Sequence, residues 1–155
     1  MVRISELLLP SCIKMELDAT KKKEVLLELL NLLKAQGLLL PEQVDPVWKE
    51  LLEREKASST GIGSGIAIPH KILHGFTKTV MAFGRKRKGI PFDSIDGQPV
   101  NLIFLLLGQE GSESFHLRLL SKLARLLQQP SFREALLQAD NPEQILSILK
   151  KGEEE

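Results

Sequence analysis

Three glycines at alternate positions lead into a histidine in residues 60–70, T-G-I-G-S-G-I-A-I-P-H. Neutral imidazole is a nucleophile near physiological pH, so His70 could accept a phosphoryl group on a ring nitrogen. Closely spaced glycines also allow consecutive backbone N–H groups to converge on one anion. We therefore expect a phosphate-binding nest from Thr60, Gly61, Gly63, Ser64 and Gly65. The alternative, which the glycines alone favour, is a strained turn between a helix and a strand, with His70 in a structural role.

The glycine segment does not match three better-known loop motifs. A nucleotide-hydrolase phosphate loop needs Lys followed by Ser or Thr after its second glycine, whereas Ala67 and Ile68 stand near that place. A dinucleotide fingerprint needs a third glycine that opens a helix, and this segment continues with Ile66. A nucleophile elbow would need glycines at the positions of Ile62 and Ile66, around Ser64. The segment therefore predicts anion binding rather than nucleotide hydrolysis, hydride transfer or serine hydrolysis.

Residues 60–70 closely resemble the active-site signature of the type-2 IIA domains of the bacterial phosphoenolpyruvate-dependent sugar phosphotransferase system. This is the fructose and mannitol family, which includes the nitrogen-regulatory IIA proteins. Three further blocks resemble the family's other motifs in order: R-E-K-A-S-S at 54–59, K-G-I-P-F-D-S-I-D-G-Q-P-V at 88–100 and F-H-L-R-L-L-S-K-L-A-R-L-L at 115–127. The resemblance spans the chain, so we assign residues 1–152 to one IIA domain and expect 153–155 to be a frayed acidic tail.

The resemblance implies roles for three side chains. His70 matches the phosphoryl-accepting histidine, His116 matches a second active-site histidine that faces it, and Arg54 matches the active-site arginine. A transferring phosphoryl group spreads negative charge over its oxygens, which a guanidinium and helix N-terminal N–H groups can stabilise. Each also has a plainer interpretation: Arg54 as a surface ion-pair partner of Glu50 or Glu55, and His116 as the neighbour of a helix cap.

The resemblance also implies partners. The donor would be the phosphohistidine of HPr or of its nitrogen-branch homologue, and the recipient would be a cysteine of a IIB domain during sugar uptake. The alternative is a regulatory module whose His70 phosphorylation switches docking to a target protein, which the absence of a fused IIB or membrane segment favours. We expect no metal or nucleotide cofactor, because the donor already carries an activated N–P bond.

Three apolar residues near the site are either core or a surface that excludes water during transfer: Ile62, Ile66 and Phe115.

A weaker hypothesis is a metal site formed by His70, His74 and His116. His74 follows His70 by four residues, which is a metal-ligand spacing on a helix. Pro69 and Gly75 argue against a helix there, and no carboxylate or thiol completes the set in the sequence.

Composition narrows the possible partners and compartment. The net charge of +1 predicts no nucleic-acid binding, and the basic run at 85–88 is interpreted as a solvated hairpin tip or as a docking patch for an acidic partner. The N-terminal apolar run is short and ends at Pro10, unlike a signal peptide, and no run approaches the roughly 18 apolar residues of a bilayer span. Cys12 is the only cysteine and cannot form an intrachain disulfide. We therefore expect a cytoplasmic protein without direct membrane insertion.

The elements around these residues can be read from periodicity and caps. Residues 18–37 predict an amphipathic helix capped by Asp18 or Thr20, and a second helix is expected from Pro46, with Arg54 in its last turn. Residues 66–68 predict a short strand, and residues 76–84 a strand that ends in the basic run. Residues 100–107 are almost uninterruptedly apolar, as expected of a central strand covered on both faces.

The C-terminal third predicts three helices. The first spans 115–128, with Ser114 as its cap and Leu117 on its apolar face, and two shorter helices have capping-box spacing at Ser131 and Asn141. Together the elements predict a single α+β domain of three layers, α/β/α, in which helices flank both faces of a mixed β-sheet.

Overall fold

The computed structural model describes residues 3–154 and is built around the apolar strand at 100–108. Side chains on both faces of this strand are buried, from Leu102 to Leu107 without interruption. Successive side chains of a strand point to opposite faces, so both faces of the sheet are covered here. The predicted central strand is confirmed.

Short strands and longer helices alternate irregularly along the described residues. The helices are α1 (Ile4–Leu7), α2 (Lys22–Ala35), α3 (Pro41–Ala57), α4 (Glu113–Leu127), α5 (Pro130–Gln138) and α6 (Pro142–Glu154), with a 3-10 turn at Pro10–Cys12. The strands are β1 (Ile13–Lys14), β2 (Gly61–Gly63), β3 (Ile66–Ala67), β4 (His70–Ile72), β5 (Val80–Ile90) and β6 (Val100–Gly108).

The sheet has the order β1-β5-β6-β3-β2, and β4 also pairs with β6. Strand β5 is antiparallel to β6, whereas β3 and β4 run parallel to the first and second halves of β6 on its other side. Strands β2 and β3 form a hairpin. The sheet is therefore mixed, as predicted.

Helices flank both faces of this sheet, in agreement with the predicted fold class. Helix α2 packs against α3 and β5, while α4, α5 and α6 pack against one another in succession. The buried stripe of α2 is the predicted one: Val25, Leu26, Leu29, Leu30 and Leu33. Within residues 3–154, the structure has no helix long and apolar enough to cross a membrane.

The first two long helices begin elsewhere than predicted. Helix α2 starts after Lys21, whose backbone is still extended, with φ −127° and ψ 146°. The backbone N–H groups of Asp18 and Ala19 donate to the Glu28 carboxylate in the segment before the helix. Neither Asp18 nor Thr20 is its cap.

Helix α3 begins at Pro41, and Pro46 lies inside it rather than at its first position. The start is fixed by Gln43, whose side-chain oxygen accepts from Leu40 N and whose backbone N–H donates to Leu40 O. The carbonyl of Glu42, which a proline four residues later cannot bond, belongs to an exposed residue, so water can hydrate it.

The interpretation of residues 85–88 as a hairpin tip is wrong. Strand β5 starts at Val80, not near 76, and continues to Ile90, with a shift of register against β6 between Arg85 and Ile90. Arg85 is only 4% exposed and its guanidinium donates to four backbone carbonyls, those of Met15, Leu136, Leu137 and Ala139. This part of the run therefore ties β5 to the end of α5.

The C-terminal helices need further corrections. Helix α4 follows Ser112 rather than Ser114, and Leu117 is 65% exposed, because the buried stripe runs through His116, Leu119 and Leu123. Ser131 lies inside α5 and is not its cap. The predicted cap at Asn141 is confirmed, since its side-chain oxygen accepts from Gln144 N.

The acidic tail is not frayed over its described part. Glu153 and Glu154 belong to α6, and the Glu153 side chain is 1% exposed. Its carboxylate accepts from the backbone N–H groups of Ile4 and Ser5. Residue 155 lies outside the described residues.

Candidate active site

His70 is the first residue of β4, where it is aligned with Leu106 of β6. The preceding Pro69 restrains the backbone, and its carbonyl accepts from Leu106 N. The ring is half-buried, and its Nδ1 lies 2.8 Å from the carbonyl oxygen of Ile68. Since a carbonyl oxygen can only accept, Nδ1 carries the proton of the neutral ring and Nε2 keeps a lone pair.

The surroundings favour the neutral form of His70. Burial lowers the pKa of its imidazole below the ordinary 6.5, and the charge of Arg54 lowers it further. The hydrogen bond to Ile68 and the charge of Glu55 act in the opposite direction but do not outweigh the burial. The His70 ring is therefore uncharged at neutral pH, with a lone pair on Nε2.

His116 faces His70 from the first turn of α4. The ring centroids are 5.4 Å apart and the rings are inclined by 53°. The close approach of α4 to the end of β6 depends on Gly108, because a Cβ there would lie 2.7 Å from His116 Nδ1 and 2.9 Å from Ile72 Cγ1. The absence of a side chain at Gly108 thus provides the space for the His116 ring.

His116 is buried, with neither ring nitrogen hydrogen-bonded to another described residue. Burial first, and the neighbouring His70 second, lower the pKa of His116 from 6.5 to about 4. Buried nitrogens without partners are costly and rare, so such a group needs an explanation. A neutral ring with one N–H donor beside His70 can donate to an oxygen of a group bound there.

Arg54 lies in the last turn of α3, as predicted, and acts electrostatically on His70. Its Nη1 donates to the carbonyl oxygen of Ser58, 2.7 Å away. The interpretation of Arg54 as a partner of Glu55 is wrong, because the Glu55 carboxylate pairs with Lys22 Nζ at 2.8 Å. His70 and His116 therefore face each other, and Arg54 is near enough for its charge to lower the pKa of His70.

The glycine segment has a different role from the predicted nest. Gly63 pairs with Ile66 across the β2–β3 hairpin, and the two residues between them, Ser64 and Gly65, have φ of 57° and 79°. Positive φ at both central residues is what the type I′ turn of a two-residue hairpin requires. The glycines thus satisfy hairpin geometry, which was the alternative to a nest.

Two further observations separate this hairpin from His70. The backbone N–H groups of Thr60, Gly61 and Ser64 already donate to side chains of Glu55, Ser59 and Asp96. Along β6, the partners of β3 and β4 differ by four residues, since Ile66 aligns with Leu102 and His70 with Leu106, a distance of about 13 Å. The nest hypothesis is therefore wrong for these three amides, and the tip of the hairpin lies away from the histidines.

The three-histidine metal hypothesis also fails. The His74 side chain is 98% exposed, and its Nδ1 lies 2.8 Å from Glu110 Oε1 rather than near the other two rings. Among residues 3–154, no group of three His, Cys, Asp or Glu side chains is arranged to hold a metal ion.

The three apolar residues expected near the site, Ile62, Ile66 and Phe115, differ in their exposure to solvent. Ile66 is 2% exposed and belongs to the core, whereas Ile62 is 40% exposed and Phe115 is half-buried. Leu117, which follows the buried His116, is also exposed. Phe115 and Leu117 thus flank the second histidine with apolar surface.

Sequence reasoning missed Gly108 and Glu55. Gly108 ends an apolar strand and belongs to no turn motif, so the neighbouring sequence does not indicate that the His116 ring packs against it. Glu55 was considered only as a surface partner of Arg54, yet it is 6% exposed and binds both the N–H and the hydroxyl of Thr60. The spacing of His116, Leu119 and Leu123 was the available signal that His116 belongs to the buried stripe of α4.

Comparison with known proteins gives a consistent result. The family model for the phosphoenolpyruvate-dependent sugar phosphotransferase system, EIIA 2, matches residues 6–152. A nitrogen regulatory protein of Bradyrhizobium diazoefficiens is 38% identical over 94% of this chain and 94% of its own.

Two further relatives extend the comparison. The fructose-specific EIIABC component of Bacillus subtilis is 38% identical over 97% of this chain, which spans only 23% of that component's length. The crystal structure of the nitrogen regulatory protein IIA-Ntr from Neisseria meningitidis superposes with a TM-score of 0.87 at 39% identity, covering 94% of this chain and 98% of that one.

Proposed function

Because this chain belongs to the EIIA 2 family of the phosphoenolpyruvate-dependent sugar phosphotransferase system, we propose that it is a phosphohistidine carrier with His70 as the acceptor. The donor is the phosphohistidine of HPr or of its nitrogen-branch homologue, and the recipient is a cysteine of a IIB domain. The observation that carries the proposal is the bond between His70 Nδ1 and Ile68 O, which leaves Nε2 as the nucleophilic nitrogen.

Transfer to His70 exchanges one N–P bond for another. The lone pair of Nε2 forms a bond to phosphorus while the N–P bond of the donor breaks, and the electron pair of that bond returns to the donor ring. A donor ring that is protonated on its other nitrogen leaves as neutral imidazole. His70 keeps its Nδ1 proton on Ile68 O and becomes a phosphoimidazolium, so atoms and charge balance.

Arg54 and His116 stabilise the charge of the phosphoryl group during this exchange. Such catalysis is mostly positioning and electrostatic stabilisation, since the transferred group carries its charge on three equatorial oxygens. Arg54 already acts on His70 through its charge and supplies a planar guanidinium. His116 supplies an N–H donor that has no other described partner and that is shielded from water.

In the second step the phosphoryl group leaves His70 for a thiolate of the IIB domain. The N–P bond breaks, an S–P bond forms, and His70 returns to the neutral ring with its proton on Nδ1. The name of the Bacillus relative, an EIIABC component, joins an A part to a B part, and this supports a IIB partner for the present chain.

The proposal is tested by incubating the protein with phosphoenolpyruvate and the general phosphotransferase proteins and then measuring its intact mass. We expect one phosphoryl adduct on the wild type and on His74→Ala, the matched control for an exposed histidine nearby, and none on His70→Ala. An adduct of equal yield on His70→Ala would contradict the proposal.

A second candidate function is a regulatory module, in which the phosphorylation of His70 switches docking to a target protein. It is favoured by the relatives named nitrogen regulatory protein, which this chain matches over nearly the full length of both. A phosphoryl group adds roughly 1.5 to 2 negative charges at neutral pH, enough to change an interface that includes the apolar surface around His116.

The two candidates differ in what happens to the phosphoryl group. Purified phosphorylated protein is mixed with a IIB domain, and the mass of both chains is followed with time. A carrier loses its adduct to the IIB cysteine within the mixing experiment, and a IIB variant with Cys→Ser prevents the loss. Retention of the adduct would contradict the carrier role and leave the regulatory one.

A further inference from the structure

A chain of hydrogen bonds connects Lys22, on α2, with the loop that follows α3. Lys22 Nζ lies 2.8 Å from Glu55 Oε1. The Glu55 carboxylate in turn accepts two bonds from Thr60, from the backbone N–H at 3.0 Å and from the hydroxyl at 2.6 Å. Both oxygens of Glu55 are therefore used.

The chain continues from Thr60 to the candidate acceptor. The carbonyl oxygen of Thr60 accepts from Ile68 N at 3.1 Å, and the carbonyl oxygen of Ile68 accepts from His70 Nδ1 at 2.8 Å. The hydrogen bonds thus form a continuous chain from Lys22 on α2 to Nδ1 of His70, whose proton defines the tautomer of the ring.

The central members of this chain are buried. The Glu55 side chain is 3% exposed and Thr60 is 4% exposed. A buried carboxylate is costly unless a cation and hydrogen-bond donors compensate it, and removing one partner from such a network costs more than the bond itself. Lys22 is held further by the carbonyl and the ring of Phe92, at 3.3 Å and 4.7 Å. The Glu55 carboxylate and the Lys22 ammonium group therefore both have partners within this network.

The network joins two segments of the site: the end of α3, which carries the charged Arg54, and the strand that carries His70, the proposed nucleophile. Glu55 follows Arg54 directly in the last turn of α3, and Ile68 precedes His70 by two residues. We propose that Glu55 and Thr60 are positioning residues, which hold the Arg54 end of α3 against the His70 strand and keep the His70 proton on Nδ1. The catalytic meaning of this inference rests on the proposed function, whereas its structural part does not.

The tautomer of His70 can be measured without any phosphoryl transfer. Long-range ¹H–¹⁵N correlation spectra of the full chain distinguish the two protonated nitrogens. We expect the Nδ1–H form in the wild type, a mixture of forms in Thr60→Val, which keeps the shape but removes the hydroxyl, and recovery of the Nδ1–H form in Thr60→Ser. Glu28→Gln is the matched control, because Glu28 also accepts two backbone N–H groups, those of Asp18 and Ala19, but makes no hydrogen bond to a member of this network.

The rate of phosphoryl transfer provides the second readout. Misplacement of reacting groups by about 1 Å can lower a rate by about a hundredfold, so we expect Thr60→Val and Glu55→Gln to lower the saturated rate at least roughly tenfold. The donor concentration at half-saturation should change little, because neither side chain reaches the surface. Thr60→Ser should restore the rate, and Glu28→Gln should leave it unchanged.

Each outcome decides for or against the proposal. An Nε2–H ring in the wild type overturns it at once, and so does a folded Thr60→Val with unchanged tautomer and unchanged rate. If Thr60→Val does not fold, the same comparison is made with Glu55→Gln and Lys22→Met. If the wild type takes up no phosphoryl group but the tautomer responds as expected, the proposed function fails and the positioning network stands.

Discussion

At the scale of single residues, the site depends on the protonation of two facing histidines. His70 is fixed by a neighbouring carbonyl as an Nδ1–H ring, and His116 is fixed as a neutral ring by burial. The two uncharged rings face each other with their centroids 5.4 Å apart, and the positive charge of Arg54 acts on His70. This arrangement makes the chemistry sensitive to pH.

The stability of the protein should fall in mild acid because of His116. Its pKa is about 4 in the folded chain and about 6.5 when unfolded. Between these values the unfolded chain binds a proton that the folded chain does not, so the free energy of unfolding decreases as the pH falls. We expect a loss of about 2 kcal/mol between pH 7 and pH 5 from this group, measured by urea unfolding.

His116→Gln is the variant that isolates this effect. It removes the titrating group but keeps a polar side chain of similar size, so its unfolding free energy should depend less on pH by about the same 2 kcal/mol. Equal pH dependence of the variant and the wild type would show that the ring of His116 is not held neutral by burial.

Gly108→Ala should disturb the site more than the fold. The added Cβ would lie 2.7 Å from His116 Nδ1, so the ring must move. Overpacking costs about 1 to 3 kcal/mol, and we expect phosphoryl acceptance by His70 to fall about tenfold. Gly84→Ala is the matched control, because its Cβ would meet Leu17 Cδ2 at 2.7 Å on β5, away from the histidines.

In this comparison the control should lose similar stability but keep its transfer rate. Urea unfolding and the initial rate of adduct formation are measured for both variants. A transfer rate that falls equally in both would mean that Gly108 affects the protein only through stability.

Residue types at the site could be predicted, but their bonding partners could not. His70, His116 and Arg54 stand in sequence blocks that resemble a known signature. The destination of the Ser64 N–H, by contrast, is Asp96, 32 residues later. The sequence shows that the glycines permit an anion-binding nest. Only the folded chain shows that backbone N–H groups of this segment already donate hydrogen bonds to side chains of the protein.

At the scale of elements, strongly periodic segments were predicted well and their ends were not. Helix α2 and strand β6 carry long apolar patterns, and both exist where expected. The ends depend on single side chains that reach over several residues, such as Gln43 at the start of α3. The basic run was misread because Arg85 satisfies buried carbonyls of α5, which is a tertiary contact.

The last turn of α6 provides a prediction at this scale. Burial alone would raise the pKa of Glu153, but the hydrogen bonds from Ser5 and Ile4 outweigh it, and the pKa lies below its ordinary value. The carboxylate also lies 3.2 Å from Lys122 Nζ. Glu153→Ala should therefore lower the free energy of unfolding by about 2 to 4 kcal/mol.

Glu154→Ala is its neighbouring control. The Glu154 side chain is 51% exposed and its pair with Arg3 spans 3.5 Å, so its loss should cost less than about 1 kcal/mol. Chemical unfolding of the two variants measures the difference. Equal stabilities would contradict the docking of α6 on the N-terminal helix and support a frayed tail.

At the scale of the whole molecule, the fold gathers the site at one end of β6. Strands β4 and β6 are parallel, so His70 and Gly108 lie toward the same edge of the sheet. Helix α4 returns from that edge with His116 in its first turn, and α3 brings Arg54 through the Glu55 network. Residues distant in sequence are thus gathered toward this end of the sheet.

Phosphoryl transfer to Nε2 of His70, as we propose it, is tested most directly by locating the N–P bond. The ¹⁵N-labelled protein is phosphorylated, and ³¹P and long-range ¹H–¹⁵N spectra are recorded for the wild type and for His116→Gln. We expect a single phosphoryl group on Nε2 of His70, with the proton still on Nδ1. A phosphoryl group on Nδ1 of His70, or on His116, would contradict this account.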